Sequence, residues 1–419
     1  MKQIIIEGNH PLTGTIKIGG AKNSVVALIP AAIMSQGTVK IKNVPNISDK
    51  DALIEILNSL NVDVDNAGSI ITIDSKNIQN KSIPAELTTK LRASYYFMGA
   101  LLSRFKRVEM SFPGGCNIGS RPIDLHLKGF EALGAKIRKN EKDSKYIIEA
   151  KELTGANILL DFASVGATIN IMLAATMARG TTVINNAARE VEIKNIADLL
   201  NKMGARVYGA GTSQITIKGV RKLRSAEISV VPDRIEAGTY IIMGALLGKN
   251  LKIEGIIPEH NLILLNKLQE MGVNFKLFNH TIIMNRCRNL MPTNVRTVVF
   301  PGFPTDLGQP MSVLLTQANG TSIFEETIWE NRMGHVKYLN KMGANIEAER
   351  QYAKITGPTK LHGTEIEATD LRAGAALVAA GLLADGVTTI NNVEHILRGY
   401  ERIITKLSDV GAKIKIVEI

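Results

Sequence analysis

The residue best suited to covalent or proton-transfer chemistry is a thiol. Cys116 stands inside Pro113-Gly114-Gly115-Cys116-Asn117-Ile118-Gly119-Ser120-Arg121-Pro122. Three glycines in so short a stretch read as a loop, and no apolar run surrounds the cysteine. An arginine five residues on favours a lowered thiol pKa, which suits proton delivery or nucleophilic attack. A lone cysteine is more often apolar filler, which is the reading of Cys287; from the residues alone, Cys116 stays open between the two.

A second set of residues is charged or polar and recurs. Lys22-Asn23, Arg92, Ser164, Asp306 and Asp370 with Arg372 each fall where a run of small and apolar residues begins. Arg121, Arg189, Arg332 and Arg398 come just before amphipathic stretches. Helix N-termini attract anions, and several guanidinium groups together suit a small, multiply charged one. Singly, each of these residues reads more readily as a cap or surface ion pair of its own segment. Their recurrence at matching places favours a site, with helix starts from two domains facing a common cleft.

The elements that must position them repeat six times. Gly-Ala followed by a polar and a β-branched residue stands at Gly134-Ala135, Gly204-Ala205, Gly343-Ala344 and Gly411-Ala412, with a variant at Gly272-Val273 and a degenerate copy at Asn61-Val62. The period is roughly 70 residues, so each copy is a small folded unit of several elements. Each unit reads as α-β-α-β-β. The first helix is apolar nearly all round, as in residues 165–178, and should be buried on every side. It is expected to stop at a left-handed glycine: Gly37, Gly180, Gly248, Gly320 or Gly386. The second helix is one-sided, with Ile193, Ile196, Ala197, Leu200 and Met203 at helical spacing. This predicts an α/β fold of two inside-out domains, each of three repeated units with buried helices and outer sheets. The expected division is 20–229, which carries the cysteine loop, and 1–19 plus 230–419, since one core is improbable at this length.

Composition narrows the function. The buried helices, at about fifteen residues, are too short and too interrupted for a bilayer, and the N-terminus reads as a strand rather than a signal segment. Two cysteines make no disulfide framework. A cytoplasmic monomer is expected, with no membrane partner. The net charge of +11 points to an anionic partner, yet basic residues are spread without the aromatic interleaving of a nucleic-acid binder. Gly209-Ala210-Gly211 lacks the third glycine of a dinucleotide turn, and Gly19-Gly20-Ala21-Lys22-Asn23 lacks the P-loop spacing. No histidine or cysteine cluster has metal-ligand spacing, so no metal or organic cofactor is expected.

Lys22-Asn23, the Pro-Gly-Gly-Cys loop through Arg121-Pro122-Ile123-Asp124-Leu125, Ser164-Val165-Gly166-Ala167-Thr168, Phe303-Pro304-Thr305-Asp306, Asn331-Arg332 and Asp370-Leu371-Arg372 together resemble the UDP-N-acetylglucosamine 1-carboxyvinyltransferase family of enolpyruvyl transferases. The likeness covers the whole chain. It implies transfer of an enolpyruvyl group from phosphoenolpyruvate to the 3′-hydroxyl of UDP-N-acetylglucosamine, the first committed step of peptidoglycan synthesis and the target of fosfomycin. Cys116 is then the candidate acid for C3, able also to add to C2, and Asp306 the candidate base. Lys22, Arg121 and Arg398 resemble a phosphate clamp, with Asn23 beside them, while Arg332 and Arg372 face the donor carboxylate. Asn23, Arg92, Arg121, Pro122, Ile123, Asp124, Leu125, Ser164, Val165, Asp306 and Ile328 match positions that hold UDP-N-acetylglucosamine. The chain departs from some members at Asp161-Phe162-Ala163-Ser164, which has no lysine. A transferase with another acceptor, such as a shikimate-type synthase, and a non-catalytic anion-binding relative are the alternatives.

Overall fold

The computed structural model describes residues 2–111, 123–140 and 144–418, and the chain divides into two compact units. One is built from residues 2–19 and 232–418, the other from 20–111 and 123–231. Each has its own apolar core.

Three helices form the centre of each core. In one unit they are Lys22–Ala32, Tyr96–Phe105 and Val165–Ala175; in the other, Arg234–Leu247, Thr305–Leu315 and Leu371–Leu383. Their sequences show little sidedness because no side faces water: every residue from Ala167 to Ala175 is buried, as is every residue from Arg234 to Leu247. Around each trio stand three sheets whose strands bury alternate residues, such as Thr182 and Ile184 in Thr181–Asn185. The arrangement is the inside-out α/β architecture that the repeat implies.

The repeat itself contains one more strand than the sequence suggests. Asn157–Leu159 precedes its buried helix and pairs in parallel with Thr181–Asn185, which in turn pairs antiparallel with Gln214–Lys218. The unit is therefore β-α-β-α-β-β. Three residues are too few for an alternating pattern to register, which is why the leading strand escapes a sequence reading. Some leading strands come from elsewhere in the chain: Ala226–Ser229 lies beside Thr38–Lys42, and Thr15–Lys17 beside Leu251–Glu254. The opening strand Lys2–Glu7 lies between Val387–Asn391 and Lys413–Glu418, completing the last repeat.

The signature glycine has a clear physical role. Gly204, immediately after the Val191–Lys202 helix and its cap Met203, has φ +102°, and Ala205 N reaches back to Leu200 O. This is a left-handed helix stop. In the degenerate first repeat Asn61 takes the same conformation at φ 59°, as asparagine can. The glycines assigned to the ends of the buried helices behave differently. Those helices end at Ala32, Ala175, Leu315 and Leu383, before Gly37, Gly180, Gly320 and Gly386 are reached. Gly248 does cap its helix, but in extended conformation with φ −62°; there a Cβ would come within 2.5 Å of Gly244 O, so close packing and not handedness requires glycine.

Candidate functional site

In the unit containing residues 232–418, two buried helices and the loop that carries Arg332 bring one carboxylate and two arginines together. Asp306 lies in the first turn of Thr305–Leu315, just after Pro304. Its Oδ1 accepts from Arg332 Nη2 at 2.7 Å and its Oδ2 from Arg372 Nη2 at 2.9 Å. Both arginine side chains are only 4% exposed, against 24% for Asp306. Arg372 is the second residue of Leu371–Leu383, whose N-cap Asp370 accepts from Arg372 N and Ala373 N. Its guanidinium also lies over the Tyr400 ring at 5.3 Å, and Tyr400 is anchored by Thr239 through a 2.9 Å hydroxyl pair.

Burial alone would raise the Asp306 pKa, but attraction from Arg372 and Arg332 overrides it and holds the carboxyl well below the usual carboxylate range. Burial likewise works against the Arg372 charge, and Asp306 more than restores it, leaving its pKa raised. The triad carries one net positive charge.

Two residues that the sequence reading did not single out organise this triad. Gln309, one turn beyond Asp306 and fully buried, donates from Nε2 to Arg332 O at 3.0 Å and to Asp370 Oδ2 at 3.3 Å. Glu326, 1% exposed, accepts from Thr297 Oγ1, Ile328 N and Trp329 N through Oε1, and from Thr305 Oγ1 through Oε2. It thereby ties the turn carrying Ile328 to the neighbour of Asp306. A polar residue at helical spacing from Asp306 inside an apolar run was the available signal for Gln309. Arg398, half-buried, closes the short helix Glu394–Leu397. The start of Arg234–Leu247, capped by Asp233, is the counterpart that sequence reasoning also passed over.

In the unit containing residues 20–231, Lys22 opens the helix Lys22–Ala32 and its Nζ lies 2.9 Å from Asp49 Oδ2. Asn23 Nδ2 donates to Glu192 Oε1 at 3.4 Å. Three of the predicted acceptor segments converge here. Arg92 starts the 3-10 turn Arg92–Tyr95; Ile123 precedes Asp124 and Leu125 in the helix Asp124–Ala132; Ser164 caps Val165–Ala175, accepting from Ala167 N. Their next neighbours meet. The rings of Tyr95 and His126 lie edge to face at 5.0 Å, and Gly166 packs so closely on both that a Cβ would come within 3.0 Å of His126 Nε2 and of Tyr95 Oη. His126 is buried, and burial followed by the Arg92 charge pushes its pKa down to about 3, so the ring is neutral. Asn170 bridges its Nδ1 at 2.9 Å to the Gly99 amide, which donates to Asn170 Oδ1. With the Asn170 amide donating, Nδ1 is the acceptor and Nε2 carries the proton.

Cys116, Arg121 and Pro122 lie outside the described residues. Arg189 is exposed before its helix, and Cys287 is half-buried against the core. Among the described residues no cluster of three or more His, Cys, Asp or Glu is placed to hold a metal ion. No described helix is long and apolar enough to cross a membrane.

The fold is inside-out α/β repeats, with Asp306 and Arg372 in the first turns of two buried helices. The chain belongs to the EPSP synthase (3-phosphoshikimate 1-carboxyvinyltransferase) family, whose model matches residues 6–407. It is 50% identical over 414 residues to UDP-N-acetylglucosamine 1-carboxyvinyltransferase 2 of Geobacillus kaustophilus, covering 99% of this chain and 96% of that one. With the protein of the same name from Listeria monocytogenes it shares 49% over 412 residues, 98% of this chain and 97% of that one. Among solved structures, the enolpyruvyl transferase NikO from Streptomyces tendae superposes with a TM-score of 0.90 at 26% identity, covering 99% of both chains. EPSP synthase from Acinetobacter baumannii shares the fold, with a TM-score of 0.76 at 18% identity over the full length of both.

Proposed function

We propose that this protein transfers the enolpyruvyl group of phosphoenolpyruvate to the 3′-hydroxyl of UDP-N-acetylglucosamine and releases phosphate. The observation that carries the reading is identity of about one half, along nearly the whole chain, to enzymes named for that acceptor. The reaction balances in two stages. The acceptor oxygen bonds to C2 of the donor as C3 takes a proton and the hydroxyl loses one. C3 then gives its proton back, the C2–O bond to phosphate breaks, and the C2–C3 double bond re-forms.

The Asp306–Arg332–Arg372 triad supports this chemistry electrostatically. Two desolvated guanidinium groups suit the donor carboxylate and the charge that develops beside it. While both grip Asp306 it is a poor base. A donor carboxylate that draws hydrogen bonds away from the carboxylate restores its basicity, so the hydroxyl is deprotonated only when the donor is in place. Cys116 takes the acid role that the resemblance assigns, and the remaining site residues take theirs. The enzyme acts in the cytoplasm as a monomer on small molecules, without metal, membrane or nucleic acid. Phosphate release from phosphoenolpyruvate, compared with UDP-N-acetylglucosamine and with shikimate 3-phosphate as acceptor, is the test. Release with the shikimate ester alone overturns the acceptor assignment, and release with neither overturns the activity.

A further inference from the structure

We propose that Gln309 is a positioning residue for the two donor-binding arginines, acting on the Arg332 backbone and on the Asp370 cap from one turn beyond the aspartate that grips their side chains. The inference rests on the functional reading above for what those arginines bind. The geometry is that of a double clamp. Asp306 holds the guanidinium groups of Arg332 and Arg372. One turn along the helix, Gln309 holds the carbonyl of Arg332 and the carboxylate of Asp370, which itself caps the helix start that carries Arg372. Segments that lie 23 and 61 residues away from Gln309 in the chain are thus joined through one carboxamide.

The amide has one usable orientation. Its NH2 faces two acceptors, the Arg332 carbonyl and Asp370 Oδ2; turned over, its oxygen would oppose both without a proton between them. Gln309 Oε1 has no hydrogen-bond partner among the described residues, although the side chain is fully buried. A buried polar atom left in this way is costly, so methionine would satisfy packing equally well. The pair of donor bonds is what glutamine adds. Without them, the Arg332 segment and the Asp370 cap can shift independently, and the separation of the two guanidinium groups is no longer held. Sub-ångström errors in such an arrangement weaken a bidentate grip on a carboxylate.

The test is Gln309→Met, which keeps length and apolar volume and removes the donor. We expect the KM for phosphoenolpyruvate to rise about tenfold and the KM for UDP-N-acetylglucosamine to change less than twofold. Calorimetric binding of phosphoenolpyruvate, which needs no turnover, should weaken by a similar factor. Asp370→Asn removes the same bond from the acceptor side and should produce the same donor-selective defect, even if Gln309→Met fails to fold. A folded variant of either kind with donor affinity within twofold of the parent, or with both substrates weakened equally, overturns the proposal. A parent protein that binds phosphoenolpyruvate but does not transfer its enolpyruvyl group to UDP-N-acetylglucosamine overturns the proposed function instead, and the binding comparison still decides the role of Gln309.

Discussion

Replacing Asp306 by asparagine should lower stability and turnover while tightening the grip on the donor. The carboxylate is the common partner of two arginines that are each 4% exposed. Breaking a buried ion pair by removing one side costs about 3–5 kcal/mol. Two features reduce that figure. Asp306 is itself 24% exposed, so water screens part of the interaction, and an asparagine oxygen keeps one of the two hydrogen bonds. A loss of about 2–3 kcal/mol follows, or a fall in Tm of roughly 5–10 °C for a domain of this size. The pH dependence has a definite sign. The Asp306 pKa is lowered in the folded state, so its stabilisation is present above the unfolded value of about 3.9 and disappears as pH falls through the depressed native value. The Tm gap between parent and variant should therefore be flat from about pH 5 upward and close only in stronger acid. In the variant, two under-compensated guanidinium groups await an anion, so phosphoenolpyruvate should bind roughly tenfold tighter and recover much of the lost Tm. Turnover should fall about 10²- to 10⁴-fold through loss of the base. Differential scanning fluorimetry with and without phosphoenolpyruvate, calorimetry and the phosphate-release assay read all three quantities. A variant that binds the donor more weakly than the parent, or melts at the parent temperature, refutes the reasoning.

Three further outcomes are expected. Cys116→Asp should retain substantial turnover and resist fosfomycin while Cys116→Ser loses most activity, because a carboxyl of raised pKa can deliver a proton and a hydroxyl cannot; an inactive but folded and acceptor-binding aspartate variant would count against proton delivery as the essential role. The His126 pKa is pushed down to about 3, so the stability it contributes is complete above about 6.5 and lost as pH falls from there, at up to about 1.4 kcal/mol per pH unit; His126→Gln should remove about one proton from the pH slope measured by urea unfolding between pH 4 and 6, and an unchanged slope would contradict a buried neutral ring. Gly204→Ala should destabilise by about 1–2 kcal/mol through backbone handedness alone, since a Cβ at Gly204 meets nothing nearer than Arg224 Nε at 3.9 Å, and Gly204→Asn should cost measurably less; equal costs would place the penalty in packing.

What the sequence made legible follows from how local each signal is. The buried helices announce themselves because a stretch such as Val165–Ala175 has almost no polar face, and the second helices because a left-handed stop recurs after each one, by glycine or, at Asn61, by asparagine. Asp306, Arg332 and Arg372 could be picked out as helix-start and pre-helix polar residues. That they form one triad could not, because 26 and 66 residues separate the arginines from the aspartate; the packing of Thr305–Leu315 against Leu371–Leu383 brings Arg372 to Asp306, and a separate loop brings Arg332. The strands were less legible for a related reason. Glu365–Glu367 and Asn157–Leu159 are three residues long, and their status as strands lies in the partner, not in their own pattern. Gln309 and Glu326 are the sharpest cases. Their partners include the Arg332 carbonyl and the amides of Ile328 and Trp329, groups that every residue type supplies and that no spacing can distinguish. A polar residue whose task is to hold another residue's backbone has no signature of its own beyond being buried where an apolar one would fit. The same physics explains why such residues matter to the site: one carboxamide in a dry core can fix two chain segments at once, and the arginines they carry are then placed before any substrate arrives.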